Sequence, residues 1–494
     1  MKKLILFSIV IVLMFSEKRI NAQEVKKLTF YEVINIAEEQ SPNALMAKHR
    51  FRSSYWSYRT FVAQYRPSLT LMGTTPDYSN SYDKVWNSVQ NRYDYKTANT
   101  LSNLGTLSLS QNIGFTGGSI ALSSDFTRFN DYENNTNKYI TTPISIGLNQ
   151  PLFRYNPLKW QKKTEPLKYE AAKKTFLANI ETVHLDAVRN FFSLALAQIN
   201  KQISEMNFLN ADTLYRIAQG RYQLGTIAED ELLQMQLSWL NAETARKSAD
   251  MNLRDREIRL RSFLGYNENV RLELILPTEI PNLQVDLKEV LDLAMANNPE
   301  MLTQELTLLT AQSSVAQAKA EKGLNANLIA SYGLRDQDQV FKLAYSDPSK
   351  SQRVRIGFTL PILDWGLGRG KYKMAKSSLE LAQVQVEQAK VDFQQNLFLD
   401  VEQFNLQKSQ VAIAAKSDTV AMKRYEVTKQ RFLIGKIAVL DLNDADSRKD
   451  QNKRAYVQEL QNYWNYFYNI RSLTLYDFVN RKQIETDYDK LLEQ

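Results

Sequence analysis

Two long stretches without helix-breaking residues limit the folds open to this chain. Residues 371–432 contain neither glycine nor proline, and residues 167–222 contain only Gly220. At 1.5 Å per residue, roughly 60 residues form a helix of about 90 Å. A single compact globule cannot bury a helix of that length. The sequence therefore predicts coiled-coil packing or a span across a wide compartment.

The chain also carries an internal duplication. The segment LTFYEVINIAEEQSPN at 28–43 aligns with VDLKEVLDLAMANNPE at 285–300, an offset of 257 residues. Further along, IGLNQPLF at 146–153 aligns with IGFTLPIL at 356–363, an offset of 210 residues. Repetition of this kind predicts repeated structural units.

Each half predicts the same order of elements: a helix, strands, a very long helix and a returning helix. The first helix of each half follows a capping residue, Thr29 or Asp286, with a glutamate three positions later. We expect a first structural repeat over 28–266 and a second over 285–478. A C-terminal tail over 479–494 follows.

Alternation of polar and apolar residues predicts the strands. They are expected near 67–78, 105–129 and 143–152 in the first half, and near 325–335 and 352–362 in the second. The change of offset assigns 47 extra residues to the first half, between Leu71 and Ile146. This insertion contains two alternating segments on either side of Thr116-Gly117, which is a hairpin signal. The rest of it, including 130–139, is predicted as loop.

The N-terminal segment, residues 1–22, predicts a secretory signal peptide. Lys2 and Lys3 precede an apolar run over 4–15, and Ala22 supplies a small residue for cleavage. The run is short for a membrane span, which needs roughly 20 residues. An uncleaved anchor is the alternative. The segment holds four basic residues and one acid, so its removal lowers the formal net charge from +8 to +5.

Composition excludes several classes of function. The chain has no cysteine, so disulfides and thiol-linked lipids are absent. It has no long basic block, which argues against nucleic-acid binding. His49 and His184 are isolated in the sequence, so we expect no metal site, no cofactor and no catalytic residues. GLGRGK at 366–371 lacks a Ser or Thr after Lys371, and it is predicted as a strand-to-helix turn rather than a phosphate loop.

The order of these elements resembles the TolC-like outer-membrane efflux family, the outer-membrane factors of tripartite efflux or type I secretion systems. Four motifs carry the resemblance: QPLF (150–153), LPILDWG (360–366), RYQLGTIAEDEL (221–232) and RFLIGKIAVLDL (431–442). The likeness covers about residues 28–478. It implies a mainly α fold with a membrane β-barrel, located in the outer membrane and extending into the periplasm.

The resemblance also implies an assembly and a role. Three chains would share one β-barrel, in contact with outer-membrane lipid, and one periplasmic α-helical barrel. The trimer would be a passive exit duct that works with a periplasmic adaptor and an inner-membrane transporter. The added hairpin at 105–129 departs from the simplest pattern. It would enlarge the barrel, fold over its mouth, or pack outside the membrane.

Several glycines and prolines take roles from this resemblance. Gly225 and Gly435 end long helical runs and align at the 210-residue offset. The resemblance makes them the turns at the periplasmic tips of two helix hairpins. Pro151 and Pro361 align at the same offset and would mark the strand-to-helix junctions.

Acidic residues near the second turn are the candidate periplasmic gate. The resemblance assigns a ring of carboxylates to Asp441 and Asp444, with Glu231 as the acid of the first half. In three copies, Asp441 and Asp444 would place six acids around one opening, and these would favour cations. The alternative is that Asp441 and Asp444 only cap a helix and interact with its dipole. Ile437 stands where the family has a tip arginine, and Asp446 is expected to be solvated surface.

Two other classes of protein remain as alternatives. An envelope structural or adhesive coiled-coil protein explains the long helices but not the duplicated strand pairs. A periplasmic enzyme would need a nucleophile with a base at a suitable spacing, and none is evident. The aromatic segment YWNYFYN at 463–469 is predicted to pack between helices, with adaptor contact as the alternative.

Overall fold

The computed structural model describes residues 25–266, 270–277, 279–434, 436–437 and 439–493. The predicted signal peptide over 1–22 lies outside these residues, as does Gly435. Within them the chain divides into two compact units. The first comprises the described residues of Met1–Arg50, Lys174–Asn298 and Gln394–Gln494, and the second comprises Phe51–Lys173 and Pro299–Phe393.

The elements alternate between long helices and strands along the chain. The helices are α1 (Phe30–Gln40), α2 (Pro42–Ala63), α3 (Pro157–Gln223), α4 (Glu229–Phe263), α5 (Leu287–Asn297), α6 (Pro299–Glu321), α7 (Leu367–Leu433), α8 (Val439–Thr474) and α9 (Tyr488–Leu492). The strands are β1 (Val25–Thr29), β2 (Ser68–Asn87), β3 (Arg92–Ile113), β4 (Gly118–Asp131), β5 (Thr136–Leu152), β6 (Arg271–Ile275), β7 (Asn325–Asp338), β8 (Ser349–Thr359), β9 (Tyr476–Asp477) and β10 (Lys482–Gln483).

The long helices repeat at the spacing seen in the sequence. Helices α3 and α7 each contain 67 residues, and both ends of α7 lie 210 residues after the corresponding ends of α3. The shorter helices α1 and α5 begin with the same cap. The Thr29 hydroxyl accepts a hydrogen bond from the Glu32 amide, and the Asp286 carboxylate accepts one from the Glu289 amide. Local signals thus start equivalent helices in both halves.

The core of the first unit is aromatic. Phe30, on α1, and Trp464, on α8, are both 1% exposed, with ring centroids 4.6 Å apart. Phe191 and Phe192 of α3 pack against the same Phe30 ring. Buried aromatic pairs of this geometry contribute beyond their buried area. The predicted packing role of the aromatic segment on α8 is confirmed.

The second unit contains a six-stranded antiparallel sheet, in the order β2-β3-β4-β5-β7-β8. Strands β3 and β4 are the inserted hairpin, and they lie inside the sheet between β2 and β5. The turn between them contains Gly117, whose φ of +75° favours glycine. The hairpin therefore neither folds over the sheet nor packs against it from outside.

The strands extend further than sequence alternation indicated. β2 reaches Asn87 and pairs with β3 as far as the Asn87–Arg92 pair, through a stretch rich in Ser, Asn and Tyr. The segment 130–139, expected as loop, is mostly strand around a turn at 132–135. In these stretches polar side chains occur on both faces, so the sequence shows no alternation of polar and apolar residues. Pairing with neighbouring strands nevertheless satisfies the hydrogen-bonding groups of the backbone.

Two adjacent rows of side chains give this sheet two different faces. One row runs straight across the six strands through Leu69, Leu109, Leu122, Ile146, Tyr332 and Gln352. The neighbouring row runs through Thr70, Ser108, Ser123, Ser145, Gly333 and Ser351. Successive side chains of a strand point to opposite faces. One face is therefore largely apolar at this level, and the other carries small polar residues.

The C-terminal segment is folded, although the sequence suggested only a tail. β10 pairs with β9, and the Ile484 amide donates a hydrogen bond to the Leu475 carbonyl. The short helix α9 follows, capped by Asp487. Across the described part of the chain, no helix combines the length and apolar character needed to cross a membrane.

Candidate functional site

The turn between α3 and α4 contains Gly225. Its φ is +70°, a conformation that side chains with a Cβ rarely adopt. The Thr226 amide donates to the Arg221 carbonyl at 2.9 Å, and the Gly225 amide donates to the Tyr222 carbonyl at 2.9 Å. Among the described residues beyond its immediate chain neighbours, no heavy atom would lie within 4 Å of a Cβ at Gly225. Backbone conformation rather than space therefore favours glycine at this helix end.

The second helix turn, after α7, repeats one of these bonds. The Lys436 amide donates to the Arg431 carbonyl at 2.9 Å, which matches the Thr226–Arg221 bond at the 210-residue offset. Gly435 itself lies outside the described residues. Ile437, at the position of the family's tip arginine, is half-buried.

The predicted gate acids lie just after these two turns. Glu231 is exposed in the first turn of α4, and Asp441 is exposed in the first turn of α8. A carboxylate in the first turn of a helix is stabilised by the helix dipole. Asp444 lies one turn further along α8 and is half-buried.

Asp444 is bound by two arginines. Nη2 of Arg424, on α7, donates to Asp444 Oδ2 at 2.7 Å, and Nε of Arg448, on α8, donates to Oδ1 at 2.9 Å. These bonds, the one from Arg424 first, hold the pKa of Asp444 below its ordinary value. Among the described residues, the ion pairs at this turn involve Asp444 and not Asp441. The pair with Arg424 joins the two helices of the second hairpin.

The first hairpin has a different set of residues. At the 210-residue offset, Leu214, Gln234 and Ser238 take the places of Arg424, Asp444 and Arg448. The interhelix ion pair at these positions is therefore specific to the second hairpin. Arg448 stands four residues after Asp444, a spacing that could have been read from the sequence. Arg424 is on another helix, so its contact could not.

Asp446 is not the solvated surface residue that we expected. Its carboxylate accepts a hydrogen bond from Lys449 Nζ at 2.5 Å, and its side chain is only 22% exposed. Lys449 also pairs with Asp450 at 3.3 Å and lies over the Tyr425 ring, 4.1 Å from its centroid. Asn207 of α3 donates to Asp450 at 2.8 Å. Asp446 is therefore half-buried, because it lies beside Lys449, which packs over Tyr425 of α7.

The predicted strand-to-helix junctions differ between the two halves. Pro151 is still in β5, paired with Asn327, six residues before α3 begins at Pro157. Pro361 follows the end of β8. The segment GLGRGK then starts α7, with Asp364 accepting amide hydrogen bonds from Gly366 at 2.9 Å and from Gly368 at 2.8 Å. This geometry is a helix start, as the sequence predicted.

A buried ion network in the first unit is the feature that sequence reasoning missed. Arg471 of α8 donates two hydrogen bonds of 3.0 Å to Glu181 of α3, and it also bonds Asp477 at 3.1 Å. His184 lies between Glu38, with Nε2 3.0 Å from its carboxylate, and Glu181, with Nδ1 at 3.4 Å. Glu38 and Arg471 are distant in the chain from Glu181 and His184, so no local sequence motif indicated this network.

The two carboxylates change the titration of His184. Burial acts to lower the pKa of His184, but hydrogen bonds and charge attraction from Glu181 and Glu38 outweigh it and raise the pKa to about 9. The imidazole is therefore charged at neutral pH, unlike a metal-ligating histidine. In the part of the chain that the structure describes, no group of three or more His, Cys, Asp or Glu residues is placed to hold a metal.

Comparison with known proteins gives one family and several structures. The family model described as outer membrane efflux protein matches residues 33–266 and 290–474. A comparison with curated proteins finds no match.

The solved structures similar to this chain share its fold over most of its length. The CmeC outer membrane channel of Campylobacter jejuni matches 94% of this chain and 88% of its own, at 14% identity and a TM-score of 0.66. The outer membrane protein VceC of Vibrio cholerae matches 92% of this chain and 97% of its own, at 14% identity and a TM-score of 0.61. The open-state MtrE outer membrane channel of Neisseria gonorrhoeae matches 92% of this chain and 91% of its own, at 14% identity and a TM-score of 0.51.

Proposed function

We propose that three copies of this chain, which belongs to the outer membrane efflux protein family, form a passive exit duct. The duct would work with a periplasmic adaptor and an inner-membrane transporter, which supply the cargo and the energy. The chain itself would supply the path through the outer membrane.

Family membership confirms the resemblance read from the sequence and the mainly α fold with a sheet region. The protein is an outer-membrane efflux protein that extends into the periplasm, and it is not an enzyme. The similar solved structures support the fold and nothing further, because they are only 14% identical to this chain. Assembly, partners and gating belong to the proposal.

The two-faced sheet is the observation that carries the proposal. β2 and β8 each have a strand partner on one side only within the described chain. An open edge exposes unpaired backbone N–H and C=O groups, which lipid cannot satisfy. If β2 of one copy pairs with β8 of the next, a ring of copies closes with no open edge. The apolar row through Leu109 and Ile146 would then face lipid, and the row through Ser108 and Ser145 would face the lumen.

Exposed apolar side chains on the helices support contacts with other chains. Leu233, Leu237 and Leu240 of α4 are 55%, 59% and 44% exposed and share one helix face. Leu224 and Leu440, at the two helix turns, are 79% and 74% exposed. Stripes of this kind are typical of helix surfaces that pack against another copy or a partner. We assign the α4 stripe to neighbouring copies and the turn residues to the adaptor.

The gate in this proposal lies at the helix turns. Gly225 and Gly435 would be the hinges, and Asp441, Asp444 and Glu231 would surround the opening in three copies. The ion pair between Arg424 and Asp444 would hold α7 and α8 together in the closed state. Asp441, which the two arginines do not bind, would be the principal cation-attracting group. In the alternative, the same carboxylates only stabilise helix ends.

Planar-bilayer recording tests the proposal. Detergent-extracted protein, sized as a trimer, should conduct ions without nucleotide or any other energy source. A monomeric, water-soluble rod without current would instead favour the alternative of an envelope coiled-coil protein. Crosslinking from cysteines placed at Leu224 and Leu440 would identify the adaptor.

A further inference from the structure

We infer that the hairpin β3–β4 is part of the membrane wall, so that the trimeric barrel contains eighteen strands and is wider than one built on the simpler four-strand pattern. This inference rests on the proposed trimeric duct. Six strands per chain belong to one continuous sheet, which is eighteen for three copies.

The internal duplication identifies β3 and β4 as additions. In the second half, β7 and β8 follow each other directly, and they align with β2 and β5 of the first half. Residues 92–135 hold β3, β4, the turn between them and the turn before β5, and they account for nearly all of the 47-residue excess. Inserting two antiparallel strands leaves the directions of β2 and β5 unchanged. The hairpin can therefore enter a closed sheet without disturbing the rest of the repeat.

Strand pairing holds the hairpin in the sheet. β3 pairs with β2 on one side from Ser110 to Arg92, and with β4 on the other from Ile113 to Thr100. β4 pairs in turn with β5 from Ser119 to Asp131. Removing the hairpin from the wall would break the ladders of β3 with β2 and of β4 with β5, and it would leave new open edges.

The turn of the hairpin is also fixed to the helices that flank the sheet. Asn156, just before α3, donates to the Gly114 carbonyl at 3.0 Å. Asn112 donates to the carbonyl of Gln64 at 3.0 Å, and Gln111 donates to that of Tyr65 at 2.6 Å. These bonds hold the end of the hairpin where α2 leads into the sheet and α3 leaves it.

The apolar face continues across the inserted strands. Leu109 of β3 and Leu122 of β4 are each 40% exposed and lie in register with Ile146 of β5, which is 48% exposed. A flap lying in water over the mouth would have no need for an apolar row matched to that of the wall. Alternation between a lipid face and a lumen face is typical of transmembrane strands.

Small side chains on the other face keep the added width open. Ser108 and Ser123 stand in the row between Thr70 and Ser145. Because barrel diameter grows roughly linearly with strand number, eighteen strands give a barrel about one and a half times as wide as twelve. Barrels of this strand number leave an aqueous channel when side chains do not fill them. The hairpin would therefore set the width of the exit.

Cysteine labelling tests the placement of the hairpin, since the native chain has no cysteine. We would compare Ser108→Cys with Leu109→Cys, and Ser123→Cys with Leu122→Cys, in protein reconstituted into lipid vesicles. A charged maleimide should label each serine-site variant about tenfold faster than its leucine-site neighbour, because a lipid-facing thiol is shielded from water.

Ser145→Cys and Ile146→Cys on β5 are the matched controls. If they alternate while both hairpin faces label equally, the hairpin lies in water and the inference fails, although the duct stands. If the β5 pair does not alternate either, the proposed duct itself fails.

Counting strands gives a second, independent test. Cryo-electron microscopy of the unmodified trimer in lipid nanodiscs should resolve eighteen strands across the membrane, and twelve would overturn the inference. A variant lacking residues 92–135 should show twelve strands and admit only smaller polyethylene glycols from the barrel side. Should that variant not assemble, the strand count of the unmodified trimer still decides.

Discussion

Arg424 on α7 and Asp444 on α8 are joined by a hydrogen bond of 2.7 Å, close to where the two helices meet in a turn. The residues at the equivalent positions of the first hairpin, Leu214 and Gln234, cannot form such a pair. The two hairpins of one chain therefore differ in how their helices are held together.

Breaking this pair should favour the open channel. We expect Arg424→Ala to raise the single-channel conductance or the open fraction several-fold, because α7 and α8 lose their charged contact at the turn. Arg216→Ala is the matched control, since Arg216 pairs with Asp212 on its own helix. Equal effects of both variants would show that loss of any surface arginine, rather than of this contact, opens the channel.

The two gate acids should contribute unequally to ion selectivity. Two arginines pair with Asp444 and offset its negative charge. We therefore expect Asp441→Asn to reduce cation preference and divalent-cation block more than Asp444→Asn does. Reversal potentials in a salt gradient measure the preference. Glu231→Gln tests the acid of the first half in the same assay. If Asp441→Asn, alone or with Asp444→Asn, leaves selectivity unchanged, these residues serve only the helix end.

The pH dependence of stability should reveal the buried histidine. The folded-state pKa of His184 is raised to about 9 from an ordinary value of 6.5. Its stabilisation is therefore fully present below pH 6.5 and is lost as the pH rises through 9. A difference of this size corresponds to a loss on the order of 3 kcal/mol.

Unfolding at pH 6 and at pH 9.5 measures this loss. We expect His184→Gln to flatten the dependence over that interval, and the exposed His49→Gln to leave it unchanged. An unaltered slope in His184→Gln would assign the pH dependence to other groups.

Removing the cation of the buried network should be costly. Arg471→Ala leaves Glu181, 1% exposed at its side chain, without its bidentate partner. Loss of one member of a buried pair typically costs about 3–5 kcal/mol. Arg189→Ala, which removes an exposed pair with Asp186, should change the free energy of unfolding by about 1 kcal/mol or less. Similar losses for the two variants would contradict the role we give to burial.

Two glycines of α3 and its turn should respond oppositely to alanine. Gly225 has a φ of +70°, so Gly225→Ala should destabilise the protein by about 1 kcal/mol. Gly220 lies inside α3 with open space around a Cβ, so Gly220→Ala should stabilise it by about 0.5–1 kcal/mol. Thermal unfolding of the two variants compares them directly. Stabilisation by Gly225→Ala would mean that the turn does not hold glycine in the left-handed conformation.

Much of the helical architecture could be predicted because its signals are local. A proline- and glycine-free run, a capping residue and a glycine-containing turn each act within a few residues, and α3 and α7 follow them. Strand limits could not be predicted as well. The polar faces of β2 and β3 carry little alternation, and only the neighbouring strand shows that the backbone is paired.

Sequence patterns alone revealed the duplication, the long helices, the turn at Gly225 and the family. Three features are visible only in the folded chain: the inserted hairpin lies inside the sheet, Asp444 is bound by Arg424, and His184 lies between Glu38 and Glu181. The physical reason is the range of the interactions. Helix propensity, caps and turns are encoded by adjacent residues. Strand order and buried ion pairs depend on residues far apart in the chain, and the sequence does not show which of these come into contact.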